Sequence, residues 1–448
     1  WDVVTRKSMG DAKLVQSVKL LIIDEIHLLH EDRGPVIEAL VARTLRQVEQ
    51  TQELIRIVGL SATLPNYVDI ARFLRVNLMT GLFFFDGRFR PVPLAQTFFG
   101  VKGKNTMEVS KNYDDICYDE ILKQIKVNRQ QVLVFVHARN ATVRTGLQIL
   151  EYARNRNDLK HFEYSPKDED AAKDTIQYQD ALKHVNHSKN AQLRDLFPYG
   201  IAMHHAGMLR QDRNMVEKYF AKGFIKVLVC TATLAWGVNL PAHAVIIKGT
   251  ELYDSKRGSF IDLSILDVLQ IFGRAGRPQF DTNGHGIILT TYNKLHHYLA
   301  LLTRQNPIES QFIAHLTDNL NAEIVLGTVT NVSEACSWLR YTYLNVRLHQ
   351  SPITYGINAH MKTMDPHLNS FTRDLIIKAA QELDKAHMIR FEEKNEYLFA
   401  TDLGRTASHY YINYVTIETI NEHLSNRFMT EAELLGLLSL ADEFSQLK

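Results

Sequence analysis

Apolar residues gather first into short runs divided by helical patterns, and the chain changes character near residue 305. Residues 18–23, Val-Lys-Leu-Leu-Ile-Ile, form a brief apolar run ending in acids. Such a run predicts a parallel strand covered on both faces. Val36, Leu40, Val41, Leu45 and Val48 then recur at helical spacing, and residues 56–60 read as a second strand. Strand, helix and strand joined by right-handed crossovers predict an α/β layer. This first unit is assigned to residues 1–92. A second α/β unit is expected over 93–305, with its clearest strands at 131–136, 226–230 and 244–247. Within it, residues 156–192 are rich in Asp, Lys, Asn, His and Gln and predict a surface insertion, partly helical or mobile. From 306 helical patterns dominate, at 335–344 and 375–383. A hairpin is then expected from 388–391 and 397–399. Helices followed by a two-stranded wing predict a winged helix over 306–402, and 403–448 reads as the start of a helical domain.

Bulk composition narrows the class. At 448 residues the chain exceeds single-domain size. Lys and Arg number 51 against 50 Asp and Glu, a net charge of +1, so any nucleic acid must be met by a local basic groove. Cys117, Cys230 and Cys336 lie too far apart for a CxxC zinc site or a disulfide framework, which favours a reducing compartment. No apolar run reaches bilayer-spanning length, and no signal-peptide pattern opens the chain. The polar, helix-like opening at Trp1 predicts a piece of a longer protein.

Candidate chemistry lies where strands end. Asp24-Glu25-Ile26-His27 follows the first strand, at the carboxyl edge where open α/β sheets bind ligands. Mg-nucleotide hydrolysis needs one carboxylate for the metal and a base for water, and an Asp-Glu pair supplies both. Taken alone, the pair also reads as a solvated strand end. Ser61-Ala62-Thr63 past the second strand could relay hydrogen bonds to a neighbouring domain, or simply form a turn or cap. Gln270-Ile271-Phe272-Gly273-Arg274-Ala275-Gly276-Arg277-Pro278 is more specific. Two arginines three apart are expected on one helix face, where guanidinium groups suit phosphate oxygens. Gly273 and Gly276 are expected to admit another backbone. Residues 231–242, from Thr231 to Ala242, place hydroxyls and amides at a strand-to-helix junction suited to phosphate. Trp236 within it reads more simply as core packing. Adjacent His204 and His205 point apart on a strand and lack further donors, so a metal reading is disfavoured.

In this order the four elements resemble the motif set of superfamily 2 helicases, and in detail the Ski-like branch. The likeness runs over essentially the whole chain, including residues 318–324 and 404–408. It implies RecA-like parallel-sheet motor domains, the first incomplete, then a winged-helix domain and a Sec63-type helical domain. It also implies an ATP-dependent helicase using Mg2+, 3′ to 5′ in direction. By resemblance Asp24 would hold Mg2+ through water, with Glu25 beside it aligning or deprotonating the attacking water. His27 and Gln270 would link the γ-phosphate region to the cleft, and Ser61 and Thr63 would couple hydrolysis to domain movement. Arg274 and Arg277 would act as arginine fingers on the same triphosphate, with Gly237 and Asn239 lining the cleft. Arg139, His205, Gly207 and Thr231 would grip the backbone of a single strand. A hairpin at 250–262 would part the duplex, with Tyr253 or Phe260 stacking on the last base pair or merely pinning the hairpin to its domain. The implied partners are single-stranded or partly duplex nucleic acid and the other subunits of a multiprotein complex. The implied setting is nuclear, with a cytosolic pool, in DNA repair, transcription coactivation or ribosome quality control.

One departure stands out. No G-x-x-x-x-G-K-[ST] loop occurs in these 448 residues, although the family carries one before the acidic box. Its lysine and amides supply much of the β- and γ-phosphate binding, so this polypeptide alone is expected to turn over little ATP. A non-hydrolysing scaffold is the alternative, and it would need neither the acid pair nor the arginines. A winged-helix transcription factor would leave the arginine motif unexplained.

Overall fold

A computed structural model describes residues 2–3, 17–62, 64–128, 130–164, 171–231, 240–254, 258–278, 280–303, 307–424 and 429–444. The chain forms two compact units, one of Trp1–Phe84 with Asn306–Lys448 and one of Phe85–Gln305.

The first unit opens with β1 (Leu20–Ile23), a 3-10 turn (Ile26–His30), α1 (Gly34–Thr51), β2 (Arg56–Gly59) and α2 (Tyr67–Phe73). β1 and β2 pair in parallel, Ile23 opposite Gly59. The expectation of a doubly covered first strand is corrected: Leu20 and Ile22 are 51% and 56% exposed. Among the described residues β1 pairs only with β2, so half of its apolar run meets solvent. α1 has the expected helical period, but its buried face carries Glu38, Ala39, Val41 and Ala42, while Val36 is exposed.

The second unit runs through β3 (Leu94–Val101), α3 (Thr106–Asn128), β4 (Val132–Val136), α4 (Arg139–Asn155), α5 (Leu159–Phe162), α6 (Ala171–Asn186), α7 (Ala191–Leu196) and β5 (Ile201–His204). It continues through α8 (Arg210–Ala221), β6 (Val227–Thr231), β7 (Ala244–Lys248), the hairpin β8 (Glu251–Asp254) and β9 (Ser259–Asp262), α9 (Ile265–Phe272), β10 (Gly284–Thr291) and α10 (Tyr292–Thr303). Six strands form one all-parallel sheet in the order β3-β10-β7-β4-β6-β5. The centre of the sheet is dry: Val132, Leu133, Val134, Val245 and Ile246 are fully buried, as continuous apolar runs demand. The expected insertion is corrected in part. Phe162, Ala181 and Val185 are buried, and Tyr178 stacks among Tyr164, Phe197 and Phe224, so α6 belongs to the core.

Returning to the first unit, the chain forms α11 (Leu316–Val325), α12 (Val332–Leu339), α13 (Tyr343–Gln350), α14 (Ala359–Met364), α15 (Asn369–Lys385), β11 (Ile389–Glu392), β12 (Tyr397–Ala400), α16 (Asp402–Tyr410), α17 (Tyr414–His423) and α18 (Glu431–Ser439). β11 and β12 make the expected antiparallel wing. The single helix expected over 335–344 is two, because Thr342 caps α13 by accepting from the Asn345 N–H. Polar contacts tie these helices to α1 and α2. Glu38 is fully buried and accepts from the Ser310 hydroxyl at 2.5 Å and the Leu344 N–H at 2.8 Å, and burial pushes its carboxyl up to about 8. Arg347 bridges Asp69 and Glu309. Arg43 bridges Asp2 and the buried Glu323. No helix among the described residues is long and apolar enough to cross a membrane.

Candidate functional site

The acidic box occupies a strained turn at the carboxyl end of β1. Glu25 has φ 53° and ψ 43°, the left-handed region, at a cost of about 1–2 kcal/mol for a residue with a Cβ. Its N–H donates to Asp24 Oδ1 at 2.9 Å, and the Ile26 N–H donates to Leu60 O across to the loop after β2. His27 is buried, and its Nδ1 accepts the Ala62 N–H at 3.2 Å. That bond places the ring proton on Nε2, which lies 3.2 Å from a Glu25 carboxylate oxygen. Burial, then the nearby His30, pull His27 down to about 4 against the opposing influence of Asp24, so the ring is a neutral donor near pH 7. The strained backbone thus presents the Glu25 carboxylate while His27 ties it to the Ser61-Ala62 loop. Ser61 itself donates to the Ala62 carbonyl at 2.8 Å. Thr63 lies outside the described residues.

Asp24 is exposed, with one carboxylate oxygen accepting from the Glu25 amide. Among the described residues no three His, Cys, Asp or Glu side chains converge to cage a metal ion. That donor set fits Mg2+ held by one carboxylate, waters and nucleotide phosphates, the usual manner of this cation. Asp24 would hold it there, and the ion when bound would neutralise phosphate charge.

In the second unit, four residues assigned to nucleic acid lie along the carboxyl edge of three neighbouring strands. Arg139 opens α4 just beyond β4, Thr231 ends β6 opposite Val136, and His205 with Gly207 follows β5. A side chain at Gly207 would meet His205 Nδ1 at 3.2 Å and Arg139 Cδ at 3.3 Å, so these three converge. Burial and the Arg139 charge push His205 down, leaving an exposed guanidinium beside a neutral imidazole. His204 is separate: it turns inward to Glu217 at 2.8 Å.

The arginine motif differs from its expected form. α9 is capped by Ser264, buries Val268, Ile271 and Phe272, and ends before Gly273. Arg274 and Arg277 therefore lie on the turn after the helix and do not share a helix face. The Arg90 guanidinium donates to the Phe272 and Ala275 carbonyls, and Gly276, at φ 89°, hydrogen-bonds to the Ala242 carbonyl at 2.7 Å. A Cβ on Gly276 would strike Val92 at 2.6 Å, whereas one on Gly273 would meet chiefly its own helix carbonyls, so only Gly276 serves close approach to another segment. Gln270 is half-buried on the last turn of α9. Arg277 makes paired contacts to Asp281 at 2.9 Å each, donates to Gln131 at 3.1 Å and lies over the Phe280 ring. Burial alone would raise Asp281, but Arg277 outweighs it and holds that carboxyl below its ordinary range. Arg90 and Gln131 carried no signal in the sequence, since no spacing rule links them to the motif, whereas Asp281 stands four residues after Arg277, a spacing that could have marked it. Gly237 and Asn239 lie outside the described residues.

The hairpin stands as expected, with Tyr253 directly opposite Phe260. Their rings meet edge to face at 5.4 Å and are 62% and 68% exposed, so they pair with each other and do not pin the hairpin to the sheet.

Family models match in sequence order: a DEAD/DEAH box helicase at 2–70, a helicase conserved C-terminal domain at 168–279, a winged helix-turn-helix domain at 309–393 and a Sec63 Brl domain at 400–448. The whole chain is 62% identical to activating signal cointegrator 1 complex subunit 3 of Rattus norvegicus, covering 20% of that protein. It is 60% identical to the Danio rerio protein of the same name, covering 29% of it. It is 54% identical to the DExH-box ATP-dependent RNA helicase DExH14 of Arabidopsis thaliana, covering 20% of it. The chain therefore spans between a fifth and under a third of these relatives. Acid turn, arginine turn, wing and terminal helical segment fall in that order within these four matches, and over its whole length the chain is similar to these relatives.

Proposed function

We propose that the full-length protein is an ATP-dependent translocase that unwinds nucleic acid 3′ to 5′. The observation that carries this reading is the strained acidic turn, where Glu25 sits in a left-handed conformation beside Asp24 and is tied through neutral His27 to the Ala62 backbone. A strand end kept only for packing has no use for that strain. Glu25 orients the attacking water and takes its proton, Asp24 would hold the metal, and Arg274 with Arg277 offsets charge on the transferred phosphoryl group. Ser61, Thr63, Gln270, Gly237 and Asn239 complete the nucleotide-side assignment. Arg139, His205, Gly207 and Thr231 grip phosphates without reading bases, and the Tyr253/Phe260 hairpin parts the duplex. The relatives' name supports membership of an activating signal cointegrator-type complex, and the Arabidopsis name supports RNA among the substrates. Within that reading the protein is nuclear with a cytosolic pool, serving DNA repair, transcription coactivation or ribosome quality control.

The test uses the full-length protein on RNA and DNA duplexes tailed at either end. Single strands should stimulate ATP turnover, with binding falling steeply with salt, and duplexes with 3′ tails should be unwound. Unwinding only from 5′ tails would overturn the direction. Tight binding without ATP turnover would favour the scaffold alternative.

A further inference from the structure

The hairpin has a mount that the helicase motifs do not account for. Glu251 and Asp262 stand directly opposite each other at its base, a like-charge pair that alone would splay the strands. The Lys294 ammonium contacts both carboxylates, at 2.7 Å to Glu251. One helical turn on, Tyr298 is fully buried, and its hydroxyl reaches the carbonyls of Thr250 and Leu263 at 3.2 and 3.0 Å. Those two residues flank the hairpin and bond to each other, the Leu263 N–H donating to the Thr250 carbonyl at 2.8 Å. Lys294 and Tyr298 share one face of α10, so that helix grips the hairpin at its charged rung and at its neck. The helix is itself held close to the sheet. A Cβ on Gly100 of β3 would meet Tyr292 Cα at 3.2 Å, and the Lys102 ammonium lies 3.8 Å from the Tyr292 ring centre. Partial burial would lower Lys294, but the two carboxylates outweigh it and keep the ammonium charged. Downstream, Leu263 leads into Ser264, the cap of α9.

We infer that Lys294 and Tyr298 are positioning residues that set the angle of the aromatic hairpin, so that strand separation depends on them while ATP turnover does not. This rests on the proposed strand-separating role of the hairpin. Small misplacements of a working group can cost up to about a hundredfold, so a loosened hairpin should fail as a wedge while the motor still steps.

The experiment compares ATP turnover and duplex unwinding in the full-length protein. Lys294→Met should keep kcat and KM for single-strand-stimulated ATP hydrolysis within about twofold and unwind about tenfold fewer base pairs per ATP. Lys294→Arg should retain most unwinding. Adding Glu251→Gln and Asp262→Asn to Lys294→Met should restore part of it, because the repulsion is gone. Tyr298→Phe supplies an independent variant should the methionine protein fold poorly. Wild-type unwinding per ATP in both single variants, or a parallel fall of hydrolysis and unwinding, overturns the inference. Replacing Tyr253 and Phe260 by Ala separates the two layers. Normal unwinding there removes the hairpin reading itself, whereas lost unwinding there with normal unwinding in Lys294→Met removes only the positioning role.

Discussion

The acid turn of the first unit and the arginine turn of the second serve their side chains in opposite ways. Around Glu25 the backbone is strained, the Asp24 residue is exposed and the Glu25 side chain is 45% exposed, with a buried neutral His27 beside them. Around Arg277 the guanidinium also pairs with Asp281 and Gln131, and the turn is braced from behind by Arg90. A residue can thus belong to a catalytic motif by reaching out or by holding the motif in shape, and letters alone do not distinguish the two.

Breaking the arginine turn should have the largest effect. Arg274→Ala in the full-length protein should lower ATP turnover by about 10^3-fold, the usual worth of an arginine finger. Steady-state hydrolysis checks it. Arg277→Ala should lose turnover and also about 2 kcal/mol of stability, because it leaves the Asp281 carboxylate, 2% exposed, without its guanidinium, with only the residue-277 amide and His243 beside it. A melting temperature equal to that of wild type would show that the Asp281 contact is incidental.

Two buried titratable groups of the first unit sharpen the contrast through pH. His27 has its ordinary value of 6.5 lowered to about 4 in the fold, so the unfolded chain binds the extra proton between those values. Its contribution is fully present above about 6.5 and is lost as pH falls toward 4. Glu38 is raised from 4.5 to about 8, so here the folded chain holds the extra proton, and stability falls as pH rises from 4.5 to 8. Denaturant titrations across pH should show the acid slope shrink in His27→Gln, with His137, His204, His205, His243 and His285 supplying the rest, and the stability loss toward alkaline pH shrink in Glu38→Gln. The Glu38 variant should stay within about 1 kcal/mol of wild type near neutral pH, since an amide keeps the bond to Leu344. Slopes unchanged in these variants would place the titrations elsewhere.

Much of the second unit was legible because β4, β6 and β7 are continuous apolar runs, and a doubly covered parallel strand requires that. β5, β10 and β3 were not, since a length of four residues, a Gly284-His285-Gly286 opening, or an edge strand with Gln96 and Thr97 leaves no such run. The wing was legible from two short apolar arms about a polar turn. At the site, residue types and order pointed to Asp24, Glu25 and the arginine motif, and the family resemblance to Arg139. The left-handed Glu25, the end of α9 before Arg274, and the Gln131 and Lys294 contacts depend on tertiary packing. Nothing in the local sequence announces them.

The claim that the acid turn drives ATP hydrolysis is tested most directly by Glu25→Gln in the full-length protein, followed through a single turnover with labelled Mg·ATP and a saturating single strand. Nucleotide affinity should stay near that of wild type while the hydrolytic step slows by at least about a hundredfold. Hydrolysis at the wild-type rate in that variant would contradict the account.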